Sequence, residues 1–313
     1  MAKGPGRSYR RDISLPELFK RFPDDEAADQ WLVRIRWPNG ICCPREDCGS
    51  DNVQIGTTHH SMPYRCRSCR KFFSVKTGTV MANWKLGAQI WVLALYLLNT
   101  RIKGVSSMKL HRDLGITQMS DWHLIHRIRE VWNDINELPE FWGPVQADET
   151  WIGGLDKNRH KSKRHGRDWR KKRTPVVGVF DERTREVSAQ VVEQVEARSV
   201  VGAVRARIRA PFTLVVSDES PAYNAFIRHE WVNHSIGQYV NDMATTNGIE
   251  SFWAVFKRGY HGTYHWFSHK HAQRYVKEFA GRQNWRAMDT EEMLEASVRP
   301  MVGKRLAYAE LIA

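Results

Sequence analysis

The chain has 313 residues, with 48 Lys and Arg against 35 Asp and Glu and a formal net charge of +13. That length builds two or three domains with real cores, and 42% hydrophobic with 27% charged residues excludes long-range disorder. The longest apolar run, residues 90–98, is too short to span a bilayer, and the N-terminal MAKGPGRSYRRDIS has no apolar segment of a secretory signal. Residues 10–38 read as short helical pieces, in which Asp24 caps DEAADQWLVRIRW and Pro38-Asn39-Gly40 ends the pattern. A Cys-rich segment, 41–80, alternates turns with strand-like runs such as KFFSV. Residues 84–135 are mostly helical, and LPEFWGP closes this half. From residue 145 the texture changes to strands divided by helices. TPVVGVFDERTREVSAQVVE reads as a hairpin, EARSVVGAVRARIR as a helix and FTLVVSDES as a further strand, which together predict a mixed-sheet α/β domain.

Five cysteines are present, and four fall in two close pairs, which points to a metal rather than to disulfides. Cys43 and Cys48 form the first pair, Cys66 and Cys69 the second. Two such turns can set four thiolates tetrahedrally around Zn2+, and CRSC followed by an aromatic strand is the second knuckle of a zinc ribbon. Cys42 is left over, as a free thiol or as a register alternative to Cys43.

The helical middle has the spacing of a helix-turn-helix. One helix ends at Leu114, Gly115 supplies a left-handed cap, and Thr117 or Ser120 starts the next. The second helix carries Gln118, His123, Arg127 and Arg129 on its polar face, groups that suit phosphates or base edges in a major groove. Asp121 stands among them with the wrong sign for a phosphate.

Three acidic positions supply the chemistry. Asp148 lies within the strand-like VQADETWIGG, Asp218 closes FTLVVSDES, and Glu250 lies in the helical stretch from about Asn247 to Lys257. Glu149 and Glu219 directly follow the two aspartates, so strand phase decides which carboxylate points inward. Two strand carboxylates and one helical carboxylate can hold two Mg2+ or Mn2+ ions about 4 Å apart for in-line phosphoryl transfer. Asn247, one turn before Glu250, can supply a neutral oxygen beside it or in its place. A third carboxylate balances the metal charge better, which favours Glu250. Lys257 lies two helical turns after Glu250 on the same face and, with Arg258, suits a DNA phosphate. His261, Tyr264 and His265 follow, and Trp253 is placed to stack on a base.

Residues 157–173, KNRHKSKRHGRDWRKKR, hold ten Lys or Arg and one Asp and end in Lys171, Lys172 and Arg173. They separate the first two strands of the α/β domain, so they form a long loop suited to a DNA backbone beside Asp148.

The strings RCRSCRKFFSVKTGTVMANWKL, KGVSSMKLHRDLGIT, ADETWIGG, SDESPAY and TNGIESFWAVFKRGYHGTYH together resemble one family. It is the zinc-ribbon insertion-sequence transposases of the Asp-Asp-Glu or Asp-Asp-Asn class, related to Merlin elements. The resemblance covers roughly residues 15–312. It implies a multi-domain α+β chain in which a zinc ribbon and helix-turn-helix precede an α/β ribonuclease H-like catalytic domain. It also implies metal-dependent cleavage and strand transfer of DNA at terminal inverted repeats, with Asp148 and Asp218 as the first two acids and Glu250 or Asn247 as the third. The expected boundaries are 1–40 for an N-terminal helical segment, 41–82 for the ribbon and 83–137 for the helix-turn-helix. The catalytic domain follows at 143–285, with a tail at 286–313. Cytoplasmic action at the nucleoid, no membrane partner and a homo-oligomer on DNA complete the expectation, since two element ends need two active sites. A DNA-binding regulator with an inert nuclease-like domain is the alternative, and a junction-type nuclease shares the same acids.

Overall fold

The computed structural model describes residues 11–132, 140–153, 160–163, 173–218, 220–232, 240–241 and 244–313. The chain divides into two compact units. One takes residues through Arg101, Val105–Val131 and Ala287–Ala313, and the other takes Ile102–Gly104 and Trp132–Arg286.

The first unit opens with two short helices. Helix α1 (Leu15–Arg21) starts at a capping box, in which the Ser14 N–H donates to Glu17 Oε2 at 2.8 Å. Helix α2 (Asp25–Arg36) is capped by Asp24 as its sequence predicts, the Ala27 N–H donating to Asp24 Oδ1 at 2.8 Å. A three-stranded antiparallel sheet follows, from β1 (Val53–Ile55), β2 (Tyr64–Cys66) and β3 (Phe72–Phe73). Helix α3 (Ala88–Thr100) contains the longest apolar run and is buried along almost its whole length. Helix α4 (Ser107–Leu114) ends at Gly115, whose φ of 66° is the left-handed cap, and Thr117 caps α5 (Gln118–Arg129).

Residues 287–313 are more than the expected tail. They form α9 (Thr290–Val298) and α10 (Tyr308–Ile312) and complete this unit. Asn99 Nδ2 donates to Ser297 Oγ at 2.8 Å in a buried setting, and the Val80 N–H donates to the Met301 carbonyl at 3.0 Å.

The second unit is built on a five-stranded mixed sheet of order β6-β5-β4-β7-β8. Its strands are β4 (Val145–Ile152), β5 (Thr174–Asp181), β6 (Val187–Val191), β7 (Val215–Ser217) and β8 (His229–Trp231). The β4, β5 and β6 strands run antiparallel as the expected hairpin and its neighbour, while β7 and β8 run parallel to β4. Every residue of β5 is buried, as in a central strand covered on both faces.

Alternation along β4 and β5 divides the core in two. On one face Val145, Ala147, Val177 and Val179 meet α6 (Ala197–Arg205) and Tyr223. On the other, Ile152, Val176 and Phe180 meet α7 (Asn247–Gly259) and α8 (His269–Asn284). A short pair, β9 (Val240–Asn241) and β10 (Ala244–Thr245), precedes α7. No described helix in either unit is long and apolar enough to cross a membrane.

Candidate active site and zinc centre

The pleat of β4 settles which acid points where. Asp148 shares its face with Gln146 and Ile152, toward α7, whereas Glu149 points to the opposite face, where the Tyr223 hydroxyl donates to its Oε2 at 2.7 Å. Asp148 is register partner to Gly178 on β5. A Cβ at Gly178 would lie 2.6 Å from the Trp253 ring and 2.9 Å from Ile249, so the missing side chain is what lets α7 lie against the sheet beside the acid. Gln146 anchors the start of that helix, its Oε1 accepting from the Ile249 N–H at 3.0 Å while its Nε2 donates to Glu182 at 2.9 Å.

Asp218 follows β7 directly and accepts from the Ser220 N–H at 3.1 Å. The Ser217 hydroxyl, one residue before it, lies 2.8 Å from His229 Nε2. Burial pushes the Asp148 carboxyl up to about 7, helped by the neighbouring charges of Glu149 and Asp218 and opposed by Lys257. Those causes place Asp218 and Lys257 in electrostatic reach of Asp148. Lys257 and Arg258 are both exposed on the last turns of α7, as a phosphate contact requires.

Glu250, half-buried in the first turn of α7, accepts from the Thr246 hydroxyl at 2.9 Å, and Asn247 is exposed. Glu219, Lys171 and Lys172 lie outside the described residues, as does most of the basic segment 157–173. Of that segment, Lys161–Lys163 form a single 3-10 turn, and Arg173 lies against Gly153 at the end of β4.

Several expected DNA contacts are corrected by burial. Arg127 is 8% exposed, its Nε donating to the Leu306 carbonyl at 3.0 Å and its Nη1 to Val80 at 2.8 Å and Ala82 at 3.0 Å. It knits the first unit together instead of facing DNA. His123 and Arg129 are buried as well: residues 287–313 return to His123, whose Nε2 lies 3.2 Å from the Leu306 carbonyl, and Arg129 Nη1 lies 3.4 Å from His126 Nε2. Asp121 is fully buried, so it repels no phosphate, and its carboxyl rises to about 7, chiefly through burial. Gln118 and Met119, in the first turn of α5, are exposed.

Trp253 is 3% exposed and packed against the sheet, so it stacks on no base. The Tyr264 hydroxyl is committed to Glu278 at 2.8 Å, while His261 and His265 are exposed. Nothing in the local sequence marks Tyr223 or Gln146 as part of the site. Tyr223 sits inside the string SDESPAY, but no local pattern shows that its hydroxyl reaches across to Glu149.

The cysteines behave as the spacing predicts. The Sγ atoms of Cys43, Cys48, Cys66 and Cys69 all lie within 4.8 Å of one another, with Cys43–Cys69 and Cys48–Cys66 both at 3.7 Å. Sulfurs about 2.3 Å from a tetrahedral Zn2+ stand about 3.8 Å apart, whereas a disulfide would bring two of them to about 2 Å. The Cys69 backbone N–H lowers the Cys66 thiol, while burial raises Cys43. Cys42 stands outside the cluster, which fixes the register on Cys43.

Comparison with known proteins agrees with this division. Residues 140–284 match the ISXO2-like transposase domain and residues 23–72 match the transposase zinc-ribbon domain, together more than half of the chain. An uncharacterized protein in transposable element ISH50 of Halobacterium salinarum is 27% identical over 258 residues, covering 76% of this chain and 84% of that protein. The four-cysteine cluster is accordingly a structural zinc site.

Proposed function

Because the chain belongs to the zinc-ribbon insertion-sequence transposases, we propose that it binds the terminal inverted repeats of its element and cuts and rejoins DNA at Asp148, Asp218 and Glu250. The observation that carries this reading is a carboxylate pair, Asp148 on β4 and Asp218 directly after the parallel strand β7. Asp148 on β4 and Asp218, one residue past β7, are brought together by the parallel pairing of the two strands, and the Asp218 charge adds to the burial that raises Asp148. Such a donor set fits Mg2+ or Mn2+, whose charge would favour the ionised form of Asp148 that burial, and secondarily the neighbouring carboxylates, oppose. Bound there, divalent metal would activate the attacking hydroxyl or water and stabilise the departing 3′ oxygen.

The remaining roles belong to the chain. Lys257, exposed on α7 and in reach of Asp148, holds a DNA phosphate over the acids. Arg258 beside it, together with Lys171, Lys172, Arg173 and the rest of segment 157–173, extends that grip along the backbone. Glu250 supplies the third carboxylate, with Asn247 as the neutral alternative one turn earlier. The strand order, three antiparallel strands followed by two parallel to the first, supports a ribonuclease H-like reading of this unit. In the first unit, α4 and α5 form a helix-turn-helix that offers DNA the exposed first turn around Gln118. Two element ends require two such active sites, so the working form is a homo-oligomer on DNA in the cytoplasm.

The test is cleavage and strand transfer in vitro, with duplexes carrying the ends of the encoding element and Mg2+ or Mn2+. Asp148→Asn and Asp218→Asn are expected to abolish strand transfer while retaining DNA binding in a gel shift. Near-normal transfer by either variant overturns the assignment. One observation favours the regulator reading: the Thr246 hydroxyl engages Glu250. Binding of element ends without any chemistry by the unaltered chain decides for it.

A further inference from the structure

Main-chain pairing between β4 and β7 consists of two register pairs, Val145 with Val215 and Gln146 with Val216. Both acids lie beyond the last of them: Asp148 is two residues further along β4, and Asp218 is two residues further along the other strand. The ladder therefore does not reach the point where the carboxylates must be held. A side-chain bond does. Tyr223 stands on a 3-10 turn, Pro221–Ala225, that begins three residues after Asp218, and its ring is fully buried. Its hydroxyl donates to Glu149 Oε2 at 2.7 Å, and the Glu149 N–H in turn donates to Asp148 Oδ1 at 2.8 Å. From the other side the turn is tied to the second acid, because the Ser220 N–H donates to Asp218 Oδ1 at 3.1 Å. One chain of contacts thus runs from Asp148 through Glu149, Tyr223 and Ser220 to Asp218.

We propose that the Tyr223–Glu149 hydrogen bond is a clamp that sets the spacing of Asp148 and Asp218, which makes Tyr223 and Glu149 positioning residues for the divalent metal. The inference rests on the reading of the two aspartates as metal ligands. A phenol donating to a half-buried carboxylate is a charge-assisted bond, stronger and shorter than a neutral one. Tyr223 remains a donor at any working pH, since burial and the nearby carboxylates all push its ionisation upward. Glu149 faces away from Asp148 on the pleat, so its part is to take the clamp and not to meet the metal.

The test titrates Mn2+ into the full-length, zinc-loaded chain without DNA and follows free Mn2+ by electron paramagnetic resonance. Tyr223→Phe keeps the ring that fills the core and removes only the donor. It is expected to weaken Mn2+ binding about tenfold or more, the range typical of residues that orient metal ligands. Glu149→Ala should do the same from the opposite, less buried end, which covers the case in which Tyr223→Phe misfolds. Glu149→Gln, whose amide oxygen accepts the same bond, should stay within about threefold of the unaltered chain. Strand transfer by Tyr223→Phe should recover at high Mn2+, since the clamp acts through metal affinity. Unaltered Mn2+ binding by Tyr223→Phe overturns the proposal, as does Glu149→Gln binding as weakly as Glu149→Ala, which would make the carboxylate itself a ligand. Asp148→Asn in the same titration keeps the two readings apart. Its loss of Mn2+ binding upholds the acid site whatever Tyr223→Phe does, and unaltered binding by Asp148→Asn sinks the acid site and the clamp with it.

Discussion

Asp148 and Gly178 are direct partners across β4 and β5, and the absent side chain at Gly178 is the space into which Trp253 and Ile249 bring helix α7. The helix that carries Glu250 and Lys257 is thereby seated on the strand that carries Asp148. Gly178→Ala puts a methyl group 2.6 Å from a buried indole and should displace that helix. Overpacking of this kind costs about 1–3 kcal/mol, read as a lower melting temperature. Strand transfer should fall further than stability does, because the helix carries the proposed site residues Glu250, Lys257 and Arg258. A variant that melts lower yet transfers strands normally would disconnect the seating of α7 from the chemistry.

The two candidates for the third ligand separate by substitution. Glu250→Gln is expected to lower strand transfer by about 100-fold or more, the upper range for loss of a group that holds a metal in place. Asn247→Ala, at an exposed position, should cost under about tenfold. The reverse order of effects would move the third position to Asn247.

Stability should depend on pH through Asp121. Its carboxyl titrates near 7 in the folded chain against an ordinary value of 3.8, and neither oxygen has a hydrogen-bond partner among the described residues. The folded state therefore holds the proton more tightly than the unfolded state does. Stability is complete below about pH 4 and is drawn down as pH rises to about 7. Asp121→Asn removes the ionisation, so the variant should be more stable at neutral pH by at most about 4 kcal/mol. The difference should close near pH 4. Urea melts at the two pH values measure it, and a gap that does not change with pH counts against the burial argument.

Removal of zinc tests the ribbon. Cys66→Ser, or a strong chelator, should release one Zn2+ per chain and disorder the ribbon, because structural zinc binding supplies folding free energy directly. Binding of element ends should be lost, while Mn2+ binding at the acids is retained. Retention of end binding by zinc-free protein would remove the ribbon from DNA recognition.

Replacing the Lys and Arg of 157–173 by Ala should weaken DNA binding and flatten its salt dependence. The slope should fall by about 0.9 for each phosphate that the segment no longer neutralises. An unchanged slope would make the segment a solvated surface.

What local chemistry dictates is readable in the sequence. Asp24, Gly115 and Thr117 act within a few residues of themselves, and the hairpin of β5 and β6 joins neighbours along the chain. The cysteine spacing likewise contains its own tetrahedral geometry, although the choice of Cys43 over Cys42 needs the folded turn. The misread residues are those whose surroundings come from far along the chain. Arg127 and His123 look like DNA contacts until Leu306 arrives from 179 and 183 residues away to engage them. Trp253 looks available until Gly178 gives it a place in the core. Which way Asp148 and Glu149 point depends on strand phase, and no run of eight residues states its own phase.

The return of residues 287–313 to the first unit also orders events during synthesis. The ribosome releases the partners of Asn99, Val80 and Arg127 only after the whole mixed-sheet unit has been made. A polypeptide abandoned before residue 287 therefore carries the acids but lacks the pieces that finish its amino-terminal half. Such a truncated chain should leave its first unit incompletely packed and open to proteolysis, while the mixed-sheet unit stays whole.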